Sequence, residues 1–368
     1  MTHKSNAMRN TLIKKVFAAL AFTLAFGSAA DAQVTTTFAK NATPGQQSGL
    51  YYALPQTVLR LDFTIEETNT EEGAYADYAS RYLGMTDYVE NGSEYKILDV
   101  KMVPLSTPDP NATFYVAIGT GRGAYNVDLD VNEQGIIRSI GAGNAAKDGY
   151  VNPENIVSQP EQKAECAKTK HNVFIATAGK TDDQVAKEIA AKIEALEKAK
   201  YDLITGFVEV PYEAKTLEKM LDEINAMEED YKSYFMGSRT VKTYVQSVYV
   251  IPNKEITTMT VAKFSEEDGL SIGTTGSGSP ISVQTLPLNT TANINAPSQS
   301  AIESMSYEGK VMYRVPDMAN VKVTLSRDVI LEERVTVNQL GVILMAPVAN
   351  TRLMFNTETG QISNLKME

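Results

Sequence analysis

A few short constellations in this chain have the residue types that chemistry needs. Gly119-Thr120-Gly121-Arg122-Gly123 follows the apolar run Phe114 to Ile118. Such a loop cradles phosphate when it opens a helix whose first N–H groups face the anion. Here Ala124 to Leu129 has the character of a strand, so the loop joins two strands and the nucleotide reading fails. Ser93-Glu94-Tyr95-Lys96 has the serine and lysine spacing of some acyl-transfer sites, but it follows the Asn91-Gly92 turn signal and enters a strand. His171 lies five residues from Cys166, the one cysteine. A site with two histidine ligands, or a nucleophile and histidine pair away from His171, is excluded once the leader carrying His3 is removed. No metal site, cofactor or catalytic residue is assigned. Carboxylates are abundant and a glycosidase needs only two, yet no spacing singles out a pair. Tyr75, Tyr78 and Tyr82 share one face of a short helix and suit packing between modules better than sugar stacking; the chain has no tryptophan.

The elements that must position these residues fall into three regions by hydrophobic period. In the first, Leu59-Arg60-Leu61-Asp62-Phe63-Thr64-Ile65 alternates as a strand buried on one face does. Tyr95–Val103 and Phe114–Ile118 read as further strands, and Tyr125–Val131 pairs with Ile136–Ile140 across Asn132-Glu133-Gln134-Gly135. A short helix, Ala74–Leu83, ends at Gly84 as its left-handed cap. In the second region Thr181-Asp182-Asp183-Gln184 has the pattern of a capping box. Val185, Ile189, Ile193, Leu196 and Leu203, then Leu217, Leu221, Ile224, Met227, Tyr231 and Tyr234, recur at helical spacing. Two helices of ~35 Å each, at ~1.5 Å per residue, form an antiparallel hairpin. The third region returns to strands at 241–251, 255–264, 311–315, 321–325 and 329–337, with a closing pair around Gly360. Its Gly-, Ser-, Thr- and Asn-rich stretch 271–300 reads as a long mobile loop.

The two β-regions share punctuation. Tyr52-Ala53-Leu54-Pro55 is answered by Tyr313-Arg314-Val315-Pro316, and Gly135-Ile136-Ile137 with Ile140 by Gly360-Gln361-Ile362 with Leu365. The expected fold is α+β, with two related, sandwich-like antiparallel β-modules joined through the helical hairpin. The expected divisions are a signal peptide at 1–32, a β-module at 33–140, a linker at 141–180, the hairpin at 181–237 and a second β-module at 238–368.

Residues 1–32 carry the basic pair Lys14-Lys15, an apolar run from Val16 to Phe26 and the small-x-small site Ala30-Asp31-Ala32, the pattern of a leader cleaved after Ala32. That run is too short for a spanning helix, which needs ~20 apolar residues. Loss of four basic residues and one acid with the leader takes the formal charge from -11 to -14. Nucleic acid and anionic lipid are poor partners for such a surface, since both are held by clustered Lys and Arg. With one cysteine there is no internal disulfide, so the cores must hold by packing.

Tyr51-Tyr52-Ala53-Leu54-Pro55, Tyr78-Ala79-Ser80-Arg81-Tyr82-Leu83-Gly84 and Pro108-Asp109-Pro110 resemble the family catalogued as domain of unknown function 4831. The similarity continues into Gly309–Pro316 and Phe355–Leu365 and stops in segments 141–170 and 271–300. The resemblance implies an exported protein of gram-negative anaerobes, in the periplasm or on the outer surface, and carries no catalytic residue. The expected role is a non-catalytic binding or structural component of the cell envelope whose partner is an envelope protein or a glycan. The helical hairpin, through Leu217, Leu221 and Tyr231, is the candidate binding face. The alternatives are a hydrolase of glycans or peptidoglycan using a carboxylate pair, and a small-ligand carrier.

Overall fold

A computed structural model describes residues 34–43, 48–119, 127–142, 175–206 and 213–367. The leader at 1–32, the glycine-rich segment from Thr120, and Cys166 and His171 lie outside the described residues. In chain order the elements are β1 (Val34–Phe38), β2 (Ser48–Glu71), α1 (Ala79–Leu83), β3 (Gly92–Ile118), β4 (Val127–Val131), β5 (Ile137–Ala142), α2 (Asp182–Thr205) and α3 (Ala214–Met236). Then follow β6 (Ser238–Val250), β7 (Thr258–Ser265), β8 (Gly269–Ile272), β9 (Ser279–Pro287), α4 (Gln299–Ser304), β10 (Ser306–Glu308), β11 (Lys310–Leu325), β12 (Asp328–Pro347), β13 (Thr351–Phe355) and β14 (Ile362–Met367). The fold is α+β, with three antiparallel sheets ordered β10-β1-β3-β2-β6, β12-β11-β9-β7-β8 and β14-β13-β5-β4.

Two long hairpins, β2 with β3 and β11 with β12, form the frame. Leu59, Leu61, Phe63 and Ile65 of β2 are fully buried against a core that includes Ile281 and Val283 of β9, Val321 and Val323 of β11 and Val337 of β12. Removing each such side chain from water contributes ~1.5–3 kcal/mol. A second core gathers Tyr52 and Leu54, Phe114 and Val116, Ile140, Val311 and Met312, Leu353 and Phe355. Each long strand passes from one core into the other. The runs read from the sequence as separate strands on either side of Pro108 and of Pro316 are therefore continuous. Proline lacks a ladder donor and falls in strands at irregularities, and both of these sit at bulges rather than chain reversals.

Segment 271–300, expected as a mobile loop, is instead largely ordered structure. It supplies β9, paired to β7 on one side and β11 on the other, and the first residues of α4. Its strand signal is the alternation Ile281, Val283, Thr285, all buried, which serines and threonines between them mask in a composition count. The two chain segments also interleave. β6 follows the helices yet pairs with β2, β10 pairs with β1, and β13 pairs with β5.

The helices pack on the far end of the β2–β3 hairpin. Thr181 accepts the Gln184 N–H at 3.3 Å and the Gln184 side chain accepts the Thr181 N–H at 3.0 Å, completing the capping box of α2. Lys232 of α3 reaches Glu197 at 3.3 Å and Lys200 of α2 reaches Glu228 at 3.6 Å, so the helices run antiparallel. Gly84 adopts φ 65° at the end of α1, which packs through Ala79 on Val185, Ala186, Ile189 and Phe235. The Tyr75 N–H donates to the Tyr234 carbonyl at 2.8 Å, fastening the connection to α3.

The shared punctuation corresponds to shared geometry. Between Ala53↔Thr113 and Pro55↔Pro108, Leu54 alone faces four residues of β3, 109–112. Between Val315↔Val342 and Asp317↔Val337, Pro316 alone faces four residues of β12, 338–341. The Ala53 N–H donates to the Gly135 carbonyl at 2.9 Å, and the Arg314 N–H donates to the Gly360 carbonyl at 3.0 Å. The short hairpins match residue for residue. Leu129↔Ile140 and Asp128↔Gly141 correspond to Leu353↔Leu365 and Arg352↔Lys366, and each ladder is irregular just before Val131 or Phe355. Thus β2–β5 and β11–β14 are two copies of one structural unit, with β3-β2-β6 answered by β12-β11-β9.

Candidate functional site

Where the two units meet, their glycine turns flank a cleft of about 810 Å³. Asn132 closes the first turn by accepting the N–H groups of Gln134 at 3.0 Å and Ile136 at 2.8 Å. Asn356 closes the second by accepting those of Glu358 at 2.7 Å and Thr359 at 3.2 Å. An asparagine oxygen that caps its own turn is a local device, so each turn holds its shape without help from the sheet. Between them lie Thr57 of β2, Pro104–Thr107 of β3, and Glu333–Thr336 with Asn338 of β12.

The floor is tied across the units. Thr57 Oγ1 accepts the Asn338 N–H at 3.0 Å, Gln339 Nε2 donates to the Thr57 carbonyl at 2.9 Å, and Ser106 Oγ donates to the Thr357 carbonyl at 2.8 Å. Asn338 Nδ2 donates to the Glu358 carbonyl at 2.5 Å. Its other polar atom, Oδ1, is buried without a partner, as is Thr107 Oγ1, and Asn338 itself is only 1% exposed. Buried polar atoms in folded proteins are nearly always paired with protein or ordered water, and both of these belong to residues that line the cleft. The rim carries the exposed carboxylates of Glu133, Glu333 and Glu358 against the single cation Arg334 among the described lining residues. Such a surface accepts hydrogen bonds from hydroxyl or ammonium groups.

Behind the cleft the joint is held by buried charge. Arg314 donates from Nη1 to the Pro55 carbonyl at 2.6 Å and from Nη2 to Asp109 Oδ2 at 2.7 Å. Burial pulls the Arg314 guanidinium below its ordinary value, and Asp109 opposes that pull. Asp317 accepts from the Thr290 N–H at 2.8 Å, Thr290 Oγ1 at 2.5 Å, the Met318 N–H at 2.7 Å and Thr291 Oγ1 at 3.3 Å. Tyr52 sits across the same joint, its hydroxyl accepting the Met312 N–H at 2.9 Å, and burial drives it well above the ordinary phenol range.

The residues singled out from sequence lie elsewhere. Leu217 and Leu221 are half-buried on α3, and Tyr231 packs into the helical cluster with Lys192 Nζ 5.2 Å from its ring centroid. Tyr75, Tyr78 and Tyr82 pack against that same cluster. The Tyr82 hydroxyl donates to Asp183 at 2.8 Å, and this bond, more than burial, raises it above its usual range. Ser93 Oγ donates to Asn69 Oδ1 at 2.6 Å at the hairpin end, and Lys96, three residues on in the same strand, falls on the opposite face of the sheet. Asn338 and Thr107 escaped sequence reasoning because neither belongs to a motif; the matched glycine turns at Gly135 and Gly360 were the visible pointer to the cleft.

No helix among the described residues is long and apolar enough to cross a membrane, which leaves membrane crossing by strands unaddressed. No group of three or more potential metal ligands occurs among the described residues. Compared with known proteins, residues 48–363 match the family described as "Domain of unknown function (DUF4831)". No curated protein and no solved structure matches the chain.

Proposed function

The chain belongs to this family, whose description names no activity, and from the cleft we propose a non-catalytic binding component of the cell envelope that takes a glycan between its two β-units. The observation that carries the reading is the unpartnered Asn338 Oδ1 at the junction of the units, beside the unpartnered Thr107 Oγ1. A sugar offers hydroxyl donors at close spacing, and the three rim glutamates extend the acceptor surface and favour an amino sugar. The leader read at 1–32 supports export, and the net negative charge argues against nucleic acid as a partner.

The test is calorimetric titration of the protein with glucosamine oligomers and, separately, with neutral N-acetylglucosamine oligomers. Saturable binding that Thr107→Val abolishes with the circular dichroism of the folded protein retained, and without release of reducing ends, supports the reading. Absence of binding to either series overturns it. The rim glutamates favour one second reading, a glycan hydrolase. Against it, a general acid needs burial to stay protonated near neutrality, and Glu133, Glu333 and Glu358 are exposed. Reducing ends that appear with time and vanish in Glu333→Gln or Glu358→Gln would transfer the assignment to the hydrolase. Recovery of the protein in the cytoplasmic fraction of its host would remove the envelope part of the proposal.

A further inference from the structure

The two copies of the repeat meet in the sheet β14-β13-β5-β4, and they meet head to tail. Writing each short hairpin as first strand and second strand, β13 and β14 correspond to β4 and β5, so the sheet reads second, first, second, first. The inner contact joins the second strand of one copy, β5, to the first strand of the other, β13, with Ser139↔Met354, Ile140↔Leu353 and Gly141↔Arg352. A heterologous contact of this kind does not close on itself. It leaves one unused second strand, β14, at one edge and one unused first strand, β4, at the other. Among the described residues each has a single sheet neighbour.

We infer that a second copy of this chain docks β14 against β4 of the first, repeating between molecules the β5–β13 contact already made within one. The register follows from the equivalences: Asn364 faces Asp130, Leu365 faces Leu129 and Lys366 faces Asp128. Both strands run antiparallel in this pairing, since β4 and β13 share one direction and β5 and β14 the other.

Three observations favour that occupant. First, Ile140 is 0% exposed with β13 beside it, whereas its counterpart Leu365 is 46% exposed. The apolar row Leu365, Leu353, Ile140, Leu129 thus ends on a bare leucine where the next copy would supply another Leu129. Second, the adjacent row reads Lys366, Arg352, Gly141, Asp128, with Arg352 reaching over the glycine to Asp128 at 3.5 Å. One edge of the sheet is therefore positive and the other negative along the same row, so docked copies bring Lys366 against Asp128. A two-fold pairing of β14 with β14 would set Lys366 near a second Lys366. Third, an extended edge with exposed apolar side chains is a template for strand addition, which proteins ordinarily block with a bulge, proline or cover. On β14 the bulge at Ser363 lies to one side of this contact, as its counterpart Arg138 does beside the inner β5–β13 contact, and residues 364–367 hold no proline and one charge, Lys366.

Assembly of this kind is open-ended and independent of the glycan reading: the cleft residues take no part in it. The test uses the whole protein as recovered from its expressing cells, with Cys166→Ser to remove the native thiol. One population carries Leu129→Cys and the other Leu365→Cys, and the two are mixed under mild oxidation. The expected result is a 129–365 cross-linked heterodimer, with the doubly substituted chain giving a ladder of dimers, trimers and higher species. Sedimentation velocity of the unmodified protein should show mass growing with concentration, and Leu365→Lys should hold it at the monomer with its circular dichroism unchanged. A monomer at every concentration with no 129–365 cross-link overturns the inference. So does a closed dimer linked 365 to 365. Because Leu129 and Leu365 lie outside the cleft, loss of assembly with sugar titration intact separates this inference from the proposed function.

Discussion

Arg314 and Asp109 meet across the joint between the two units, Nη2 to Oδ2 at 2.7 Å, with 6% of each side chain exposed. Charges so far from water are stable only while both are present. Arg314→Met or Asp109→Leu alone should cost ~3–5 kcal/mol, because each strands the partner's charge. The double substitution Arg314→Met with Asp109→Leu should recover much of that loss. Urea unfolding of the four proteins checks it, and strictly additive losses would mean the two residues do not act as a pair.

Gly341 stands opposite the Pro316 bulge, where an added Cβ would lie 1.9 Å from the Val315 carbonyl oxygen. Gly341→Ala must shift backbone on both strands and should cost ~3 kcal/mol or more, at the upper end for one substitution. Gly135 provides the contrast. Its φ is +84° with open space around it, so Gly135→Ala meets conformational strain alone and should cost ~1–2 kcal/mol. Thermal midpoints of the two variants should rank in that order.

Asp317 supplies a pH dependence with a defined direction. Burial raises it, but the hydrogen bonds from Thr290, Met318 and Thr291 together outweigh burial and hold it below the ordinary carboxylate range. The folded form then releases its proton more readily than the unfolded form. The stabilisation is fully present above the unfolded value of ~3.9 and is lost as pH falls through the folded value. Asp317→Asn should lower stability near neutrality and flatten the acid limb of the curve. Urea midpoints from about pH 3 to about pH 7 measure this, and a parallel acid limb in the variant would count against it.

Thr181→Ala removes the hydroxyl that accepts the Gln184 N–H at the start of α2. The expected loss is ~1 kcal/mol. Because the helical cluster is separate from both β-cores, hydrogen exchange should quicken in α2 and α3 and stay unchanged in β11 and β12.

What could be read from the chain was what is local. The capping box at Thr181 and Gln184 and the left-handed Gly84 depend on residues a few positions apart and are found as read, whereas the alternation from Leu59 to Ile65 is found as a strand that also buries Arg60 and Asp62 on the face read as open. The repeat was visible as matched Pro and Gly punctuation because both copies need the same bulge and the same turn. Ile281 and Val283 went unread as a strand because the Ser- and Thr-rich composition around them resembles a loop. The cleft went unread because Asn338 owes its environment to Thr57, 281 residues away. No spacing rule reaches across that separation.

Tyr52 completes its hydrogen bonds only with Met312, 260 residues later in the chain. That gap has a meaning for biogenesis. At a synthesis rate of ~5–20 residues per second, the first unit waits on the order of 10–50 s for the strands that cover it. Through that interval Leu59, Leu61, Phe63 and Ile65 lack the β9 and β11 side chains that bury them in the finished protein. Such a chain keeps one apolar face of its first hairpin uncovered until the second unit is made, which leaves it open to aggregation through that interval.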